Sequence, residues 1–528
     1  MPRTPIARLV RDLFRDSRHA SQLGIPVNEL LERRAESAAS RRQFLGTLGQ
    51  AAVVAAGASA MGGLAIAAPA KRSAKIAIVG AGLGGLTCAW RLKQAGITAT
   101  VFEAAPRLGG RCFTRRGYFA DGQIVERGGE LIDTGHTAVQ DLAVEFGLQL
   151  DDLLAAEPAG TEPAYYFGGQ SYTYAQLLTE FQAIYDTLQA DVTAADYPTT
   201  YNNSTPRGRQ LDQLSIAQYI DQIVPGGHNS LLGQVLDVAY NIEFGAETED
   251  QSALNLLYLL GFSGNTEFST FGESDERFHI RGGNDQLVSG LASRLGGQIQ
   301  TGTPLVAIAK GSDGRSTLTF SNGITTTSAV FDHVVLALPF SILRYSVDIS
   351  KANFTHRKRI AITEQGMGTN SKFQLQFKRR FWNAAGNNGD SYSDTGYQNT
   401  WEATRAQAGR SGVLVNFTGG EIGASYNQGT IAQRNTTVLA QLEPVLRGAT
   451  RQFNGLSTLD YWPGYAWTRG SYAYWKVGQY TRFSGIEGVR EGNVHFCGEH
   501  TSQDYQGYLN GAVDTGNNVA AEIIADLC

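Results

Sequence analysis

The sequence predicts an α/β fold, with mixed α+β parts, in which the chain passes between two interleaved domains. Three observations support this prediction. The 528 residues are enough for several domains and a large hydrophobic core. Glycine occurs 62 times, which indicates many tight turns. From Lys75 onward a strand-like run, a glycine-rich turn and a helix-like run follow one another, and strand-like and helix-like segments alternate after them.

The composition excludes some classes of function. The 44 basic and 49 acidic residues give a net charge of −5, so nucleic-acid binding through a basic surface is not predicted. The four cysteines lie far apart and form no C-x-x-C pair, and the eight histidines show no metal-binding spacing. We therefore expect neither a metal site nor a disulfide scaffold. A pairing of Cys88 with Cys112 is the alternative that the spacing leaves open.

The first 70 residues differ from the rest of the chain. Arg41 and Arg42 precede a charge-free run over residues 43–70, which is rich in alanine and glycine. Ala65 and Ala67 have the spacing that a signal peptidase reads. This order is similar to a twin-arginine export signal, and it predicts a periplasmic or extracellular protein. A membrane anchor is the alternative, but such a run is weakly hydrophobic for a spanning helix.

Residues 75–103 carry the parts of a dinucleotide fingerprint. Gly80 permits the tight turn after the first strand, Gly82 lets the backbone approach a pyrophosphate, and Gly85 lets helix and strand pack closely. The helix that follows presents free N–H groups and a positive dipole end to that pyrophosphate. Glu103 ends the second strand, where a carboxylate can accept hydrogen bonds from ribose hydroxyls. Because these parts occur in order, the segment predicts a Rossmann-type domain.

Four separated motifs occur in a fixed order along the chain. A GAGLGG turn begins at Gly80, and an RLGGR run begins at Arg107. A GGELI run begins at Gly128, and a VHFCGEHT run at Val494 is followed by GYLNGA. The motifs and their order resemble those of the flavin-containing amine oxidase family, most like the bacterial L-amino acid oxidases. The resemblance covers residues 75 to about 525.

The resemblance implies that the cofactor is FAD, bound without a covalent link. Family members that attach their flavin do so through a cysteine just before the first of two cage tyrosines, and that position is Ser471 here. Arg111 would add a bond to the pyrophosphate, and Glu499 would bind the ribityl chain. The cofactor-binding residues implied in this way are Gly80, Gly82, Gly84, Gly85, Glu103, Ala104, Arg111, Gly128, Gly129, Glu130, Val306, Gly498 and Glu499.

The implied domain organisation is discontinuous. Residues 71–135, 275–345 and 455–528 are assigned to a Rossmann-type FAD-binding domain. Residues 136–274 and 346–454 are assigned to a substrate domain of mixed sheet plus helices, which includes a helical subdomain.

Periodicity and composition refine the substrate domain. Residues 175–190 and 214–262 are helix-like, and residues 413–417 are strand-like. Residues 191–213 and 383–412 are rich in Asn, Gly, Ser, Thr and Asp, and they are predicted as long surface loops.

Three residues carry the chemistry that the resemblance implies. Lys372 lies in an alternating strand ten residues before Trp382, where the family has a lysine that holds a water near flavin N5. Tyr472 and Tyr508 match the two rings that flank the substrate over the flavin. The structural alternatives are a solvated strand lysine and core tyrosines, since the chain contains 22 tyrosines.

The implied reaction is the oxidative deamination of an L-amino acid to the 2-oxo acid, ammonia and hydrogen peroxide, with molecular oxygen as the acceptor. Many such enzymes grip the substrate carboxylate with an arginine just after the double glycine, and residues 130–133 contain none. A primary amine or polyamine is therefore the alternative substrate, with Glu130 or Asp133 receiving its distal positive charge.

An FAD-binding protein without turnover is the alternative from another class of function. The presence of Lys372, Tyr472 and Tyr508 together disfavours it. The expected partners are a small amine or amino acid and oxygen, without nucleic acid and without a stable membrane anchor. A homodimer is compatible with the sequence.

Overall fold

The structure is a computed structural model that describes residues 74–261, 263, 268–272 and 274–527. Residues 1–70, in which the export signal is predicted, lie outside the described residues, so export remains a prediction. Within the described ranges, no helix combines the length and the apolar character that crossing a membrane requires.

A five-stranded parallel sheet carries the dinucleotide fingerprint. Ile76 of its central strand pairs with His333 on one side and with Ala99 on the other. Ile76 and Ile78 pack into one core cluster and Ala77 and Val79 into a second, so the strand is buried on both faces. In spatial order the strands are β22 (Val494–Phe496), β13 (His333–Leu336), β1 (Ile76–Val79), β2 (Ala99–Phe102) and β9 (Ile299–Gln300).

The other strands form a four-stranded sheet, a seven-stranded sheet and three short strand pairs. The four-stranded sheet has the order β12 (Thr326–Phe331), β11 (Ser316–Ser321), β10 (Leu305–Lys310) and β14 (Asp348–Lys351). The seven-stranded sheet has the order β20 (Phe453–Tyr461), β16 (Ser371–Phe377), β19 (Gly412–Thr418), β18 (Gln398–Glu402), β17 (Asn387–Ser393), β6 (Glu162–Phe167) and β7 (Gln170–Tyr172). The pairs are β3 with β4 (Thr114–Arg115, Val125–Glu126), β5 with β8 (Leu150–Asp152, Phe278–Ile280) and β15 with β21 (Gly366–Met367, Ala473–Tyr474).

The described residues form fifteen α-helices. Those over residues 174–260 supply much of the largest core cluster, and the last helix packs beside the first. The helices are α1 (Leu83–Gln94), α2 (Thr137–Glu145), α3 (Tyr174–Ala195), α4 (Pro206–Asp212), α5 (Ile216–Ile223), α6 (Leu231–Phe244), α7 (Ala253–Leu260), α8 (Gln286–Leu295), α9 (Phe340–Ser346), α10 (His356–Glu364), α11 (Gly420–Ala424), α12 (Ile431–Leu442), α13 (Ala449–Gln452), α14 (Gln479–Arg482) and α15 (Leu509–Leu527).

The prediction of a loop over residues 191–213 is wrong for much of this segment. Helix α3 continues to Ala195, and α4 begins at Pro206. Thr205 caps α4 by accepting a hydrogen bond from the Gly208 N–H at 3.0 Å, and a proline suits the first turn. Thr205 and Pro206 therefore mark a helix start, which polar composition alone does not distinguish from a loop.

The loop predicted over residues 383–412 is also wrong, because it contains β17 and β18 of the seven-stranded sheet. Their polar side chains are buried and bond within the sheet. Ser391 Oγ lies 2.6 Å from Thr400 Oγ1, and Asn399 Nδ2 donates to the Ser391 carbonyl at 3.0 Å. Since these buried polar atoms have partners, the strands need no alternating apolar residues. The neighbouring strand predicted at 413–417 is confirmed as part of β19.

Asp212 at the end of α4 ties the helices to the C-terminal part of the chain. Its buried carboxylate accepts from Ser252 Oγ at 3.0 Å and from the Tyr480 N–H at 3.3 Å. It also accepts from the N–H and the hydroxyl of Thr481, at 2.9 and 2.7 Å. An acceptor at this position therefore satisfies four donors at once.

We expect Asp212→Ala to lower the free energy of unfolding by about 2–4 kcal/mol, because buried donors lose their acceptor. Urea unfolding followed by tryptophan fluorescence measures the change. The control Asp221→Ala removes an exposed carboxylate from α5 and should change the stability by less than about 1 kcal/mol. Equal unfolding midpoints for the two variants would contradict the prediction.

Candidate active site

The turn between β1 and α1 is shaped to hold a phosphate group. Gly80 has φ +105°, and a Cβ there would lie 2.5 Å from the Ala337 carbonyl oxygen. A Cβ at Gly85 would lie 2.0 Å from the Gly80 oxygen, so helix and strand touch there as predicted. A Cβ at Gly82 would meet nothing within 4 Å, and no side chain caps α1. The first N–H groups of α1 therefore face open space at a bare helix start.

Glu103 lies directly after β2, beside this turn. Its carboxylate accepts hydrogen bonds from the Ala81 N–H at 2.7 Å and from the Ala105 N–H at 2.8 Å. Burial raises the pKa of Glu103, while the two backbone hydrogen bonds act in the opposite direction. The carboxylate is thus fixed by the backbone at the position predicted for a ribose contact.

The C-terminal motif meets the fingerprint through a salt bridge. Arg111 Nη1 lies 2.7 Å from Glu499 Oε1 and donates to the Ser471 carbonyl at 2.7 Å. Glu499 Oε2 accepts from the Gly507 N–H at 2.9 Å. A Cβ on Gly84 would lie 3.3 Å from the Gly498 nitrogen, so α1 and this motif are in close contact.

One elongated cavity runs past all of these groups. Its empty space is about 2270 Å³, including the solvent at its mouth. The predicted residues that line it are Gly80, Gly82, Gly84, Glu103, Ala104, Arg111, Gly128, Gly129, Glu130, Lys372, Tyr472, Gly498, Glu499 and Tyr508. Gly85 lies beneath the turn. Val306 in β10 is not among the lining residues, whereas its neighbour Leu305 is.

A buried ion pair forms part of the cavity wall. Lys372 in β16 is 5% exposed, and its Nζ lies 2.6 Å from Glu130 Oε2. Trp401 Nε1 donates to the other oxygen of Glu130 at 3.0 Å, and Lys372 Nζ lies 5.1 Å from the centre of the Trp401 ring. The alternative of a solvated strand lysine is therefore wrong. Each charge compensates the other, which is what a buried ion requires.

The two predicted cage tyrosines both line the cavity, and their hydroxyls have partners in the wall. Tyr472 Oη donates to the Ile242 carbonyl at 3.1 Å. Tyr508 Oη donates to Glu243 Oε1 at 3.1 Å, and its ring centre lies 4.8 Å from that of His136. These bonds fix the positions of both rings at the cavity.

Three carboxylates that the sequence analysis missed line the same cavity. They are Glu243 near the end of α6, Glu276 before β8 and Asp390 in β17. Asp390 is paired with Arg405 at 2.6 Å, whereas no ion pair among the described residues involves Glu276. The residues lie on separate elements, one of them in a segment predicted as a loop, so no local motif indicated them.

Glu276 has an unusual backbone conformation and an unusual pKa. Its backbone has φ +46°, a left-handed conformation that is rare for residues other than glycine. Burial raises the pKa of Glu276 well above its usual range, and the neighbouring carboxylates of Glu243 and Asp133 raise it further. A strained, half-buried acid beside other acids is typical of a functional site.

The prediction that Glu130 or Asp133 receives a distal positive charge is corrected by the contacts of both carboxylates. Glu130 is already paired with Lys372. Asp133 is fully buried outside the cavity lining, where it accepts from Ser274 Oγ at 2.8 Å and from the Glu276 N–H at 3.0 Å. Glu243 and Glu276 are further carboxylates of the cavity lining.

The cavity lining combines groups that suit a dinucleotide with groups that suit a small charged molecule. The bare start of α1, the open space above Gly82 and the fixed carboxylate of Glu103 suit a pyrophosphate and a ribose. The ion pair, the tyrosines and the carboxylates line the same cavity. This arrangement defines a dinucleotide-dependent enzyme with a charged substrate pocket.

The chain belongs to the family of flavin-containing amine oxidoreductases, whose model matches residues 83–524. FAD is therefore its cofactor. The chain is similar to nicotine dehydrogenase of Pseudomonas putida, with 24% identity over 502 residues, 92% of this chain and 97% of the relative. It is also similar to L-amino acid dehydrogenase of Synechocystis sp., with 24% identity over 474 residues, 85% of this chain and 94% of the relative.

A solved structure of wild-type putrescine oxidase bound to putrescine has the same fold. It is 23% identical, with a TM-score of 0.72, and the match covers 86% of this chain and 99% of that chain. At this identity the likeness concerns the fold. The predicted fold class, a mixed α/β flavoprotein, is confirmed.

We expect Lys372→Met to slow flavin reduction, reoxidation or both by at least about 10²-fold, because a positioned proton donor is lost. Stopped-flow absorbance follows the two steps separately. Since the single variant leaves Glu130 buried without its partner, the double variant Glu130→Gln with Lys372→Met is measured alongside it.

Lys378→Met, at an exposed lysine just beyond the same strand, is the control and should keep both rates. A Lys372→Met enzyme with unchanged rates would show that Lys372 does not serve the reaction. Recovery of full rates in the double variant would show that the single variant suffered only from the unpaired Glu130.

We expect the FAD to be released without breaking a covalent bond. Ser471 precedes Tyr472, and its Oγ donates to Asn370 Oδ1 at 2.6 Å. The cysteines at 88, 112 and 497 are free and buried. The alternative of a disulfide between Cys88 and Cys112 is therefore wrong. Acid precipitation of the holoenzyme should leave the yellow flavin in the supernatant. Flavin that stays with the pellet would contradict this expectation.

Proposed function

We propose that this protein catalyses the FAD-dependent oxidation of a primary amine that carries a second positive charge, as in a diamine or polyamine. The observation that carries the proposal is the pair of carboxylates Glu243 and Glu276 at the cavity wall. Oxidation gives an imine, which water hydrolyses to an aminoaldehyde and ammonia, and oxygen as the acceptor is reduced to hydrogen peroxide.

The balance of charge in the cavity supports a cationic substrate. Among the described lining residues the basic side chains are Arg107, Arg111 and Lys372. Arg111 is paired with Glu499, and Lys372 with Glu130. Arg107 donates to the Tyr465 hydroxyl at 2.7 Å and to the Gly110 carbonyl at 2.7 Å, on the dinucleotide side. The remaining charge of the pocket is therefore negative.

Glu276 suits the distal ammonium group of such a substrate. Without a cation its raised pKa favours the neutral acid, and an ammonium group nearby lowers that pKa again. Binding of the dication is therefore coupled to loss of a proton from Glu276. The affinity for the substrate should rise as the pH rises through the pKa of Glu276.

The other residues orient the reacting end. Bound FAD supplies a two-electron acceptor for a hydride from the carbon beside the amine nitrogen. The rings of Tyr472 and Tyr508, fixed by their hydroxyl bonds, flank the substrate and exclude water. Lys372 Nζ has three protons, of which one faces Glu130, so the others are available to a water or to the substrate nitrogen.

The L-amino acid predicted from the sequence remains the second candidate. The similarity to L-amino acid dehydrogenase of Synechocystis sp. favours it. It requires a cation that binds the substrate carboxylate, and Lys372 would have to exchange Glu130 for that carboxylate. The same relative is named a dehydrogenase, so oxygen as the electron acceptor also remains a prediction.

Anaerobic flavin reduction across a matched panel tests the proposal. 1,4-Diaminobutane, butylamine and L-amino acids are mixed with the holoenzyme, and the rate of reduction and the apparent Kd are fitted for each. We expect the diamine to bind about 10–100-fold more tightly than butylamine, the effect of one or two charge-assisted hydrogen bonds. Reduction by an L-amino acid but not by the diamine would overturn the proposal.

Glu243→Gln and Glu276→Gln should each weaken diamine binding by about tenfold or more, and they should leave butylamine binding nearly unchanged. Glu276→Gln should also remove the increase of diamine affinity with pH. Glu249→Gln, at an exposed carboxylate outside the cavity lining, is the control. If the variants weakened the binding of both amines equally, the two carboxylates would support the fold and would not bind the distal ammonium group.

A further inference from the structure

Outside the cavity, three side chains from separate elements meet at one edge of the five-stranded sheet. His333 begins β13, His495 is the middle residue of the edge strand β22, and Asp526 lies near the end of α15. One ligand atom from each lies within 4.8 Å of the other two. Among the described residues this is the single group of histidine, cysteine or carboxylate side chains with such spacing.

The distances match the coordination sphere of a small metal ion. His333 Nδ1 lies 3.4 Å from His495 Nε2 and 4.0 Å from Asp526 Oδ2. Ligands bound tetrahedrally at about 2.0–2.1 Å lie roughly 3.3 Å apart. The two imidazole nitrogens are therefore already at the required separation, whereas the Asp526 carboxylate, which is partly exposed, must move closer to them by about 0.7–1.5 Å.

A second carboxylate holds one of the histidines in the form that binds metal. His495 Nδ1 lies 2.8 Å from Glu522 Oε2, and the His495 side chain is fully buried. A proton on Nδ1 that is donated to Glu522 leaves the lone pair of Nε2 pointing toward His333. This carboxylate–histidine arrangement is the usual outer support of a histidine ligand.

We infer that His333, His495 and Asp526 bind one divalent metal ion of the Zn²⁺ type, with water completing its coordination. Two imidazoles and one carboxylate form a ligand set that zinc accepts. Arg490 contacts the same oxygen, Asp526 Oδ2, at 2.6 Å, so the ion would share this oxygen with the guanidinium group.

The surroundings agree with a cation at this place. Asp332, Glu522 and Asp526 contribute three carboxylates beside the histidines, against one arginine, Arg490.

The ion would fasten the last helix to the cofactor-binding sheet. Helix α15 begins directly after Tyr508 at the cavity, and its last turns carry Glu522 and Asp526. A metal bond at that end joins α15 to β13 and β22 through side chains. Because the ion binds the folded protein, it should raise the temperature of unfolding.

Zinc binding by the tag-free holoenzyme tests the inference. After dialysis against a chelator, ZnCl2 alone is titrated by isothermal calorimetry, and thermal unfolding is recorded with and without it. We expect one Zn²⁺ per chain and a rise of about a few degrees in the unfolding temperature. No binding of Zn²⁺ by the wild-type protein would overturn the inference.

His333→Gln and Asp526→Asn should weaken Zn²⁺ binding by at least tenfold, and Glu522→Gln by about 10–100-fold. His356→Gln, at an exposed histidine of α10, is the matched control and should bind zinc as the wild type does. The flavin spectrum of each variant reports that it is folded. Equal zinc binding by all variants would place the ion elsewhere and overturn the assignment.

Discussion

The contact between Lys372 and Glu130 joins the seven-stranded sheet to the segment that follows the double glycine, and the site depends on it. At 2.6 Å, with both side chains almost fully buried, neither charge can exist without the other. Trp401 donates a hydrogen bond to the second oxygen of Glu130, and its ring packs beside Lys372. Any movement of the sheet away from that segment would separate two buried charges. The pair therefore fixes the distance between the substrate-side strands and the cofactor-side turn.

The distribution of charge follows from this pairing. Near the dinucleotide end and at the pair itself, Arg111 and Lys372 are neutralised by glutamates. Farther along, Glu243 and Glu276 lie close enough to each other to raise the pKa of Glu276. A bound cation would lower this raised pKa again, so the pocket favours a positively charged group. This is the physical reason for proposing a dicationic substrate.

The sequence indicates the parts of the site whose chemistry is local. Gly80, Gly82 and Glu103 stand in one short segment with a fixed order, and the structure brings them together as expected. Lys372 is also recognisable, because its position ten residues before Trp382 resembles that of the lysine in the flavin-containing amine oxidase family.

The rest depends on contacts between distant segments. The strands β17 and β18 are stable because their Ser, Thr and Asn side chains form hydrogen bonds with one another. From its composition, a segment rich in these residues is predicted as a loop. Glu243 and Glu276 approach only in the fold. The same holds for His333, His495 and Asp526, whose spacing in the chain resembles no metal motif.

A crystal structure of the reduced holoenzyme with 1,4-diaminobutane tests the central claim most directly. Prior reduction of the flavin prevents turnover, so the diamine itself is observed. The account predicts one nitrogen at hydrogen-bond distance from Glu243 or Glu276, with the other end between Tyr472 and Tyr508, beside Lys372. A diamine whose far nitrogen contacts neither carboxylate, or one bound outside this cavity, would contradict it.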